Sequence, residues 1–138
     1  MAVAPIAPRV SRKTPGRLLP HKLGPYELFD HNGKGGMADI YRARRANDLG
    51  VVRQVVVKEV LPELRSEVRL GDLLIAEAKL AARLTHANIV RVEQLGRDEG
   101  TLYIAMEHVE GLDLRELLRR CARTGVRIPI DVSLHICL

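Results

Sequence analysis

The chain predicts an α+β fold in which a five-stranded antiparallel sheet carries one packed helix. Three observations lead to this reading. Strand-length runs rich in β-branched and aromatic residues are separated by short turns. One long segment of helical periodicity interrupts them, and the order from residue 26 to residue 108 is βββαββ. Short connections between neighbours suit antiparallel pairing, because parallel strands need crossovers of a dozen or more residues.

Residues 1–22 contain Pro5, Pro8, Pro15 and Pro20 among small and basic residues, with Arg9, Arg12, Lys13, Arg17 and Lys22 and no acid. This composition cannot bury an apolar core and predicts a disordered basic tail. The chain's net charge of +5 belongs to that tail, since the remainder balances 17 acidic residues with as many basic ones. No basic face for nucleic acid is implied. With no Trp and one Phe there is also little to stack bases on. Met1 to Val10 holds no continuous apolar run of the kind a signal peptide needs, and no later run has membrane-spanning length. The expectation is a cytoplasmic protein with no membrane segment. Cys121 and Cys137 have no ligand-spaced His or Cys neighbours, so they read as reduced thiols and not as a metal site.

The ordered elements begin with a strand at Tyr26–Phe29, followed by the turn Gly33-Lys34-Gly35-Gly36-Met37-Ala38 and a returning strand around Ile40–Ala43. A glycine-rich turn that opens a helix would suggest a dinucleotide fold or a P-loop. One that joins two strands makes a hairpin whose backbone N–H groups can lie over phosphates. After the turn at Asn47–Gly50, Val51–Val60 is the most β-branched run and forms the third strand. Lys58 lies within it, and period 2 places Lys58 on the same face as Val56 and Val60. On the strand alone Lys58 reads as an edge lysine whose ammonium snorkels to water.

Pro62 ends this strand, and a helix is expected from about Ser66 to Leu84 with Leu70, Leu73, Leu74, Leu80, Ala81 and Leu84 along its apolar stripe. Glu77 falls on that stripe, where it either pairs with a cation or reaches water from the margin. Ile89–Leu95 and Thr101–His108 form the last two strands around a turn at Arg97–Gly100, with Leu95 and Ile104 reading as core. Beyond Gly111, Asp113 and Glu116 have capping-box spacing for a helix ending before Gly125. Ile130–Leu138 fits either a strand or one face of a helix.

Several of these features, in this order and spacing, resemble the N-terminal lobe of a protein kinase, most similar to the bacterial Ser/Thr type. Gly33-x-Gly35-x-x-Ala38-x-Ile40 resembles the glycine-rich loop, and Val55-Val56-Val57-Lys58 resembles the Val-Ala-Ile-Lys element of strand three. Glu77 precedes His86-Ala87-Asn88-Ile89, which resembles the His-Pro-Asn-Ile motif after helix C. Leu102 to Gly111 resembles the fifth strand, gatekeeper and hinge.

The resemblance implies a transferase that uses ATP, with magnesium in the full-length family, and a protein substrate. It implies a Lys58–Glu77 ion pair as the catalytic pair, with Lys58 on the α- and β-phosphates. Asn32, Gly33, Lys34, Gly35, Gly36, Met37 and Ala38 would cover the phosphates, and Ile40 and Val56 would pack on adenine. Met106 would be the gatekeeper, with the Glu107 carbonyl and the Val109 backbone bonded to adenine. Asp113 matches the ribose-contacting acid, in competition with its role as a helix N-cap. Ala38 in place of the third glycine, Asn32 in place of an apolar residue and Val56 in place of alanine depart from the family pattern. They bear on ATP affinity and not on the fold.

The implied organisation is a tail at 1–22, an N-lobe and hinge at 23–112 and the start of a C-lobe, with its first one or two helices, at 113–138. His-Arg-Asp and Asp-Phe-Gly motifs are absent from the sequence. With no metal ligands and no catalytic loop, the isolated chain is expected to be an inactive truncated domain that self-associates through an exposed surface. The alternative is a non-catalytic interaction module that docks on a partner through helix C and the C-terminal helix.

Overall fold

The computed structural model describes residues 18–61, 64 and 68–137. Among them β1 (His21–Leu23), β2 (Tyr26–Lys34), β3 (Ala38–Ala46) and β4 (Val52–Val60) precede helix α1 (Val68–Ala82). They are followed by β5 (Val92–Asp98), β6 (Thr101–Glu107), α2 (Leu114–Thr124) and α3 (Ile130–Cys137). The strands form one antiparallel sheet in the order β1-β2-β3-β4-β6-β5. The described residues fall into two compact units, one ending at His108 and the other running from Val109.

Local chemistry explains the connections. Between β3 and β4 the Asn47 side chain accepts hydrogen bonds from the Leu49 and Val51 amides at 3.0 and 2.8 Å, an Asx-type turn closed by Gly50 at φ +76°. Between β5 and β6 the two loop residues Glu99 and Gly100 both have positive φ, the backbone a tight hairpin between right-twisted strands requires. Gly125 ends α2 in the left-handed region.

Each face of the sheet has its own core. On one face Leu23, Tyr26, Leu28, Tyr41, Ala43, Val55, Val57, Tyr103 and Ala105 are buried together. Tyr103 meets the Tyr26 ring edge-on, with centroids 5.9 Å apart, and the Tyr26 hydroxyl donates to Gln94 at 2.9 Å. Burial raises the pKa of both phenols. On the other face Val60, Leu102 and Ile104 lie under Leu74 and Ala78 of α1.

The structure corrects several expectations. Among the described residues the sheet has six strands and not five, because His21–Leu23 pairs with β2. The last two residues of the stretch read as a tail thus belong to the fold, while residues 1–17 lie outside the described set. The edge-lysine reading of Lys58 fails, since β4 sits between β3 and β6 in the sheet interior. The expected helix start near Ser66 also lies outside the described residues. Where α1 is described, its sheet-facing contacts come from Leu74, Ala78 and half-buried Ile75, whereas Leu73 is 67% and Leu80 65% exposed. Leu74 and Ala78, four residues apart, lie on one helical face, and Leu73 and Leu80 fall on another. The strand expected from Ile89 begins at Val92, because residues 86–89 form a turn in which the Asn88 amide donates to His86 Nδ1 at 3.0 Å. The ambiguous Ile130–Leu138 stretch is helical over Ile130–Cys137, with Asp131 in its first turn.

A methyl group at Gly96 would collide with the Tyr103 phenol, whereas one at Gly71 in α1 would meet no atom within 4 Å. Gly96→Ala should lower unfolding free energy by about 1–3 kcal/mol through overpacking. Gly71→Ala should raise it by about 0.5–1 kcal/mol by removing a helix-interior glycine. Urea denaturation followed by circular dichroism measures both.

Candidate functional site

The strand register assembles one face from residues far apart in sequence. Side chains of directly paired residues share a face. Ile40 pairs with Lys58 and Arg42 with Val56 across β3 and β4, while Val56 pairs with Met106 and Lys58 with Ile104 across β4 and β6. Ile40, Val56, Lys58 and Met106 are therefore brought together on one surface. All four are half-buried, while Val55, Val57 and Ala105 on the opposite face are fully buried. Among the described residues the Lys58 ammonium has no ion-pair or hydrogen-bond partner. An unpartnered cation on a central strand, ringed by apolar groups, is an electrostatic opening for an anion.

The glycine-rich turn caps the end of the β2–β3 hairpin. Gly33 and Lys34 pair with Ile40 and Asp39, and a bulge between His31 and Gly33 leaves Asn32 out of register and exposed. The Gly35 amide donates to the Ala38 carbonyl at 2.8 Å, and the Leu61 amide donates to the Met37 carbonyl at 3.1 Å. None of Gly33, Gly35 and Gly36 has positive φ. A β-carbon at Gly33 or Gly36 would meet nothing within 4 Å, and one at Gly35 would press only on the Ala38 carbonyl at 3.3 Å. Neither backbone conformation nor internal packing thus demands glycine at 33 or 36. The space beside both is open. Ala38, at the third glycine position, is buried without a positive φ and carries no backbone strain.

Glu77 is not brought to Lys58. It lies on the exposed side of α1, at the margin of the face that holds Leu74 and Ala78, and among the described residues no ion pair joins it to Lys58. Glu107 ends β6, opposite Val55, where its side chain accepts from the Arg91 amide at 3.1 Å and its own amide donates to the Arg91 carbonyl at 3.0 Å. Val109 is exposed in the second unit. Asp113 is the N-cap of α2, its Oδ1 accepting from the Glu116 amide at 2.7 Å. The capping box is only half formed, because the Glu116 carboxylate turns to Arg119 and Arg120 at 2.7 and 3.1 Å. The hydrogen bond from Arg120 is the main cause holding its pKa below the usual range.

The motif pattern does not single out Arg42, which extends the Lys58 face outward. Its guanidinium lies 5.5 Å from the centroid of the Phe29 ring and 3.6 Å from Asp30, with Nε buried and without a partner. Its place two residues beyond Ile40 on the same strand face is the signal that could have found it. A cleft of about 330 Å³ between Lys22, Tyr26, Glu27 and Arg44 contains none of the sequence-predicted site residues.

Asp113→Ala should cost the second unit about 1 kcal/mol, the usual worth of an N-cap, while leaving the sheet intact. Amide exchange at the α2 amides Arg115 and Glu116 reads this directly.

The fold agrees with what the chain resembles. The model of the protein kinase domain family matches residues 26–131. MasK of Myxococcus xanthus, named a tyrosine-protein kinase, is 38% identical over 115 residues, covering 83% of this chain and 18% of that protein. PksC of Streptomyces coelicolor, named a serine/threonine-protein kinase, is 38% identical over 117 residues, covering 82% of this chain and 20% of that protein. The crystal structure of a double mutant of the PknI kinase domain from Mycobacterium tuberculosis superposes with a TM-score of 0.67 at 23% identity, over 88% of this chain and 46% of that one. The chain thus spans about a fifth of the length of these curated relatives and just under half of that kinase domain. This chain belongs to the protein kinase domain family and has the sheet and helix of that family's N-terminal lobe.

Proposed function

We propose that these residues form the ATP-cradling surface of a protein kinase that transfers phosphoryl groups to Ser or Thr side chains of a protein. The observation that carries this reading is Lys58, a half-buried cation on a central strand without a partner among the described residues. ATP fits what surrounds it. Ile40, Val56 and Met106 offer apolar cover for adenine, the ammonium suits the α- and β-phosphates, and the open space at Gly33 and Gly36 admits a close backbone approach to phosphate oxygens. The Glu107 carbonyl is assigned to adenine, while Asp113, in the second unit, spends one oxygen on its helix cap. In the nucleotide-engaged form Glu77 pairs with Lys58, which requires α1 to present another face than the one now turned to the sheet. The outward positions of Leu73, Glu77 and Leu80 mark which face that is.

What these residues contribute is binding and orientation. Magnesium accompanies ATP in this family, but among the described residues no group of three or more His, Cys, Asp or Glu side chains could hold a metal ion. No His-Arg-Asp or Asp-Phe-Gly motif lies within the 138 residues. Acceptance of the hydroxyl proton and metal binding are therefore assigned to residues other than these, and the isolated chain is inactive in transfer. Ser/Thr acceptors are proposed from the name of PksC, while the name of MasK keeps tyrosine as the competing acceptor. No helix among the described residues is long and apolar enough to cross a membrane. The second reading, a non-catalytic module that docks on a partner protein, is favoured by the exposed Leu73, Leu80 and Leu84.

Titration with a fluorescent ATP analogue separates the two. Lys58→Ala should weaken binding tenfold or more, about 1.4 kcal/mol. Equal binding by wild type and variant would remove the nucleotide role, and nucleotide-independent capture of a stoichiometric partner would favour the docking module.

A further inference from the structure

We propose that His31 and Asp39 are positioning residues, a proton-sensitive clasp that sets the height of the glycine-rich turn over the phosphates; the consequence for nucleotide rests on the ATP-binding reading above. His31 belongs to β2 and Asp39 to β3, the two arms of the hairpin that carries the turn. The bulge after His31 shifts the register, and Nε2 of His31 lies 3.1 Å from Oδ1 of Asp39. Both side chains are largely withdrawn from water, at 12% and 15% exposure. The imidazole packs edge-on against Tyr41, with ring centroids 5.1 Å apart and planes at 73°. Among the described residues, the charged groups paired with Asp39 across the sheet are Lys34 from the other arm of the hairpin and buried Glu59 from β4, and His31 and Glu59 each have a further interaction partner.

This pair shares its face with Tyr41, the face opposite Ile40 and Lys58. It therefore cannot touch a nucleotide on the Lys58 side and acts only through the turn. Backbone pairing holds the hairpin as far as Gly33 with Ile40 and Lys34 with Asp39, and the tip beyond them has few bonds of its own. Gly33, Gly35 and Gly36 carry no side chains, Met37 is exposed, and the bonds closing it are Gly35 to Ala38 and Leu61 to Met37. The spacing between the two arms sets where the backbone amides between them lie. An imidazolium–carboxylate hydrogen bond is about twice as strong as its neutral counterpart, and histidine changes charge between about pH 5 and 8. Protonated His31 draws the arms together and holds the turn down. Loss of the proton weakens the clasp, and the turn lifts.

The test uses the whole 138-residue chain, first without nucleotide. In proton–nitrogen NMR spectra from pH 5.5 to 8.5, the amide signals of Gly33, Gly35 and Gly36 should move with the titration of the His31 ring in wild type. They should stay still in Asp39→Asn and in His31→Gln. Glycine signals that ignore the His31 titration, or that follow it equally in Asp39→Asn, overturn the proposal. Binding of a fluorescent ADP analogue is the second measurement. The wild-type Kd should rise by about threefold to tenfold more from pH 6 to pH 8 than that of either variant, the ligand's own titration being common to all three. Lys58→Ala separates the two readings. If wild type binds nucleotide no better than Lys58→Ala, the ATP reading fails while the glycine signals still decide the clasp.

Discussion

A β-strand hands its side chains to two faces in strict alternation, and in β4 that constraint determines everything else. Val55 and Val57 are fully buried among the tyrosines of one core, so Val56, Lys58 and Val60 must take the other side. A slip of one residue would drive the Lys58 ammonium into that core and expose two valines, a penalty of several kcal/mol. The position of the cation is thus guaranteed by the apolar residues on either side of it. Val60 is covered by α1, while Val56 and Lys58 stay half-open. That difference along one strand separates the structural part of the face from the part able to receive a ligand.

Because β4 lies between β3 and β6, it passes its register to both neighbours. Nine residues of β3 pair with nine of β4 without a shift, which carries Ile40 to Lys58 and anchors the returning arm of the glycine hairpin. On the other arm the irregular pairing with β2, bulged after Leu28 and after His31, allows local adjustment near the turn. A rigid arm facing an adjustable one is the mechanical setting in which a side-chain bond such as that between His31 and Asp39 has leverage. Helix α1 is held differently. Among its described side chains the buried ones are Leu74 and Ala78, with Ile75 partly buried beside them.

Much of the fold was legible because its signals are local. The β-branched run before Lys58, the turn chemistry of Asn47–Gly50 and the strand after the glycines each follow from a few adjacent residues. Period 2 alone puts Lys58 on the face of Val56, and the register adds Ile40 and Met106 to that face. The errors have a common origin. The stripe of large leucines on α1 looks like the buried face by hydrophobicity, yet the sheet takes Leu74 with Ala78 and leaves Leu73 and Leu80 outside. Size complementarity with a partner surface is not written in the helix itself.

The amino-acid sequence by itself determined the strands other than β1, the hairpin nature of the glycine turn and the family, because propensity, alternation and motif spacing act over a few residues. Only the tertiary structure decided that β4 is central, that His21–Leu23 adds a sixth strand, that Glu77 stands away from Lys58 and that His31 reaches Asp39 across a bulge. Strand order, helix rotation and bulge register depend on which surfaces meet, and free energies of packing between distant segments settle them where no local pattern can.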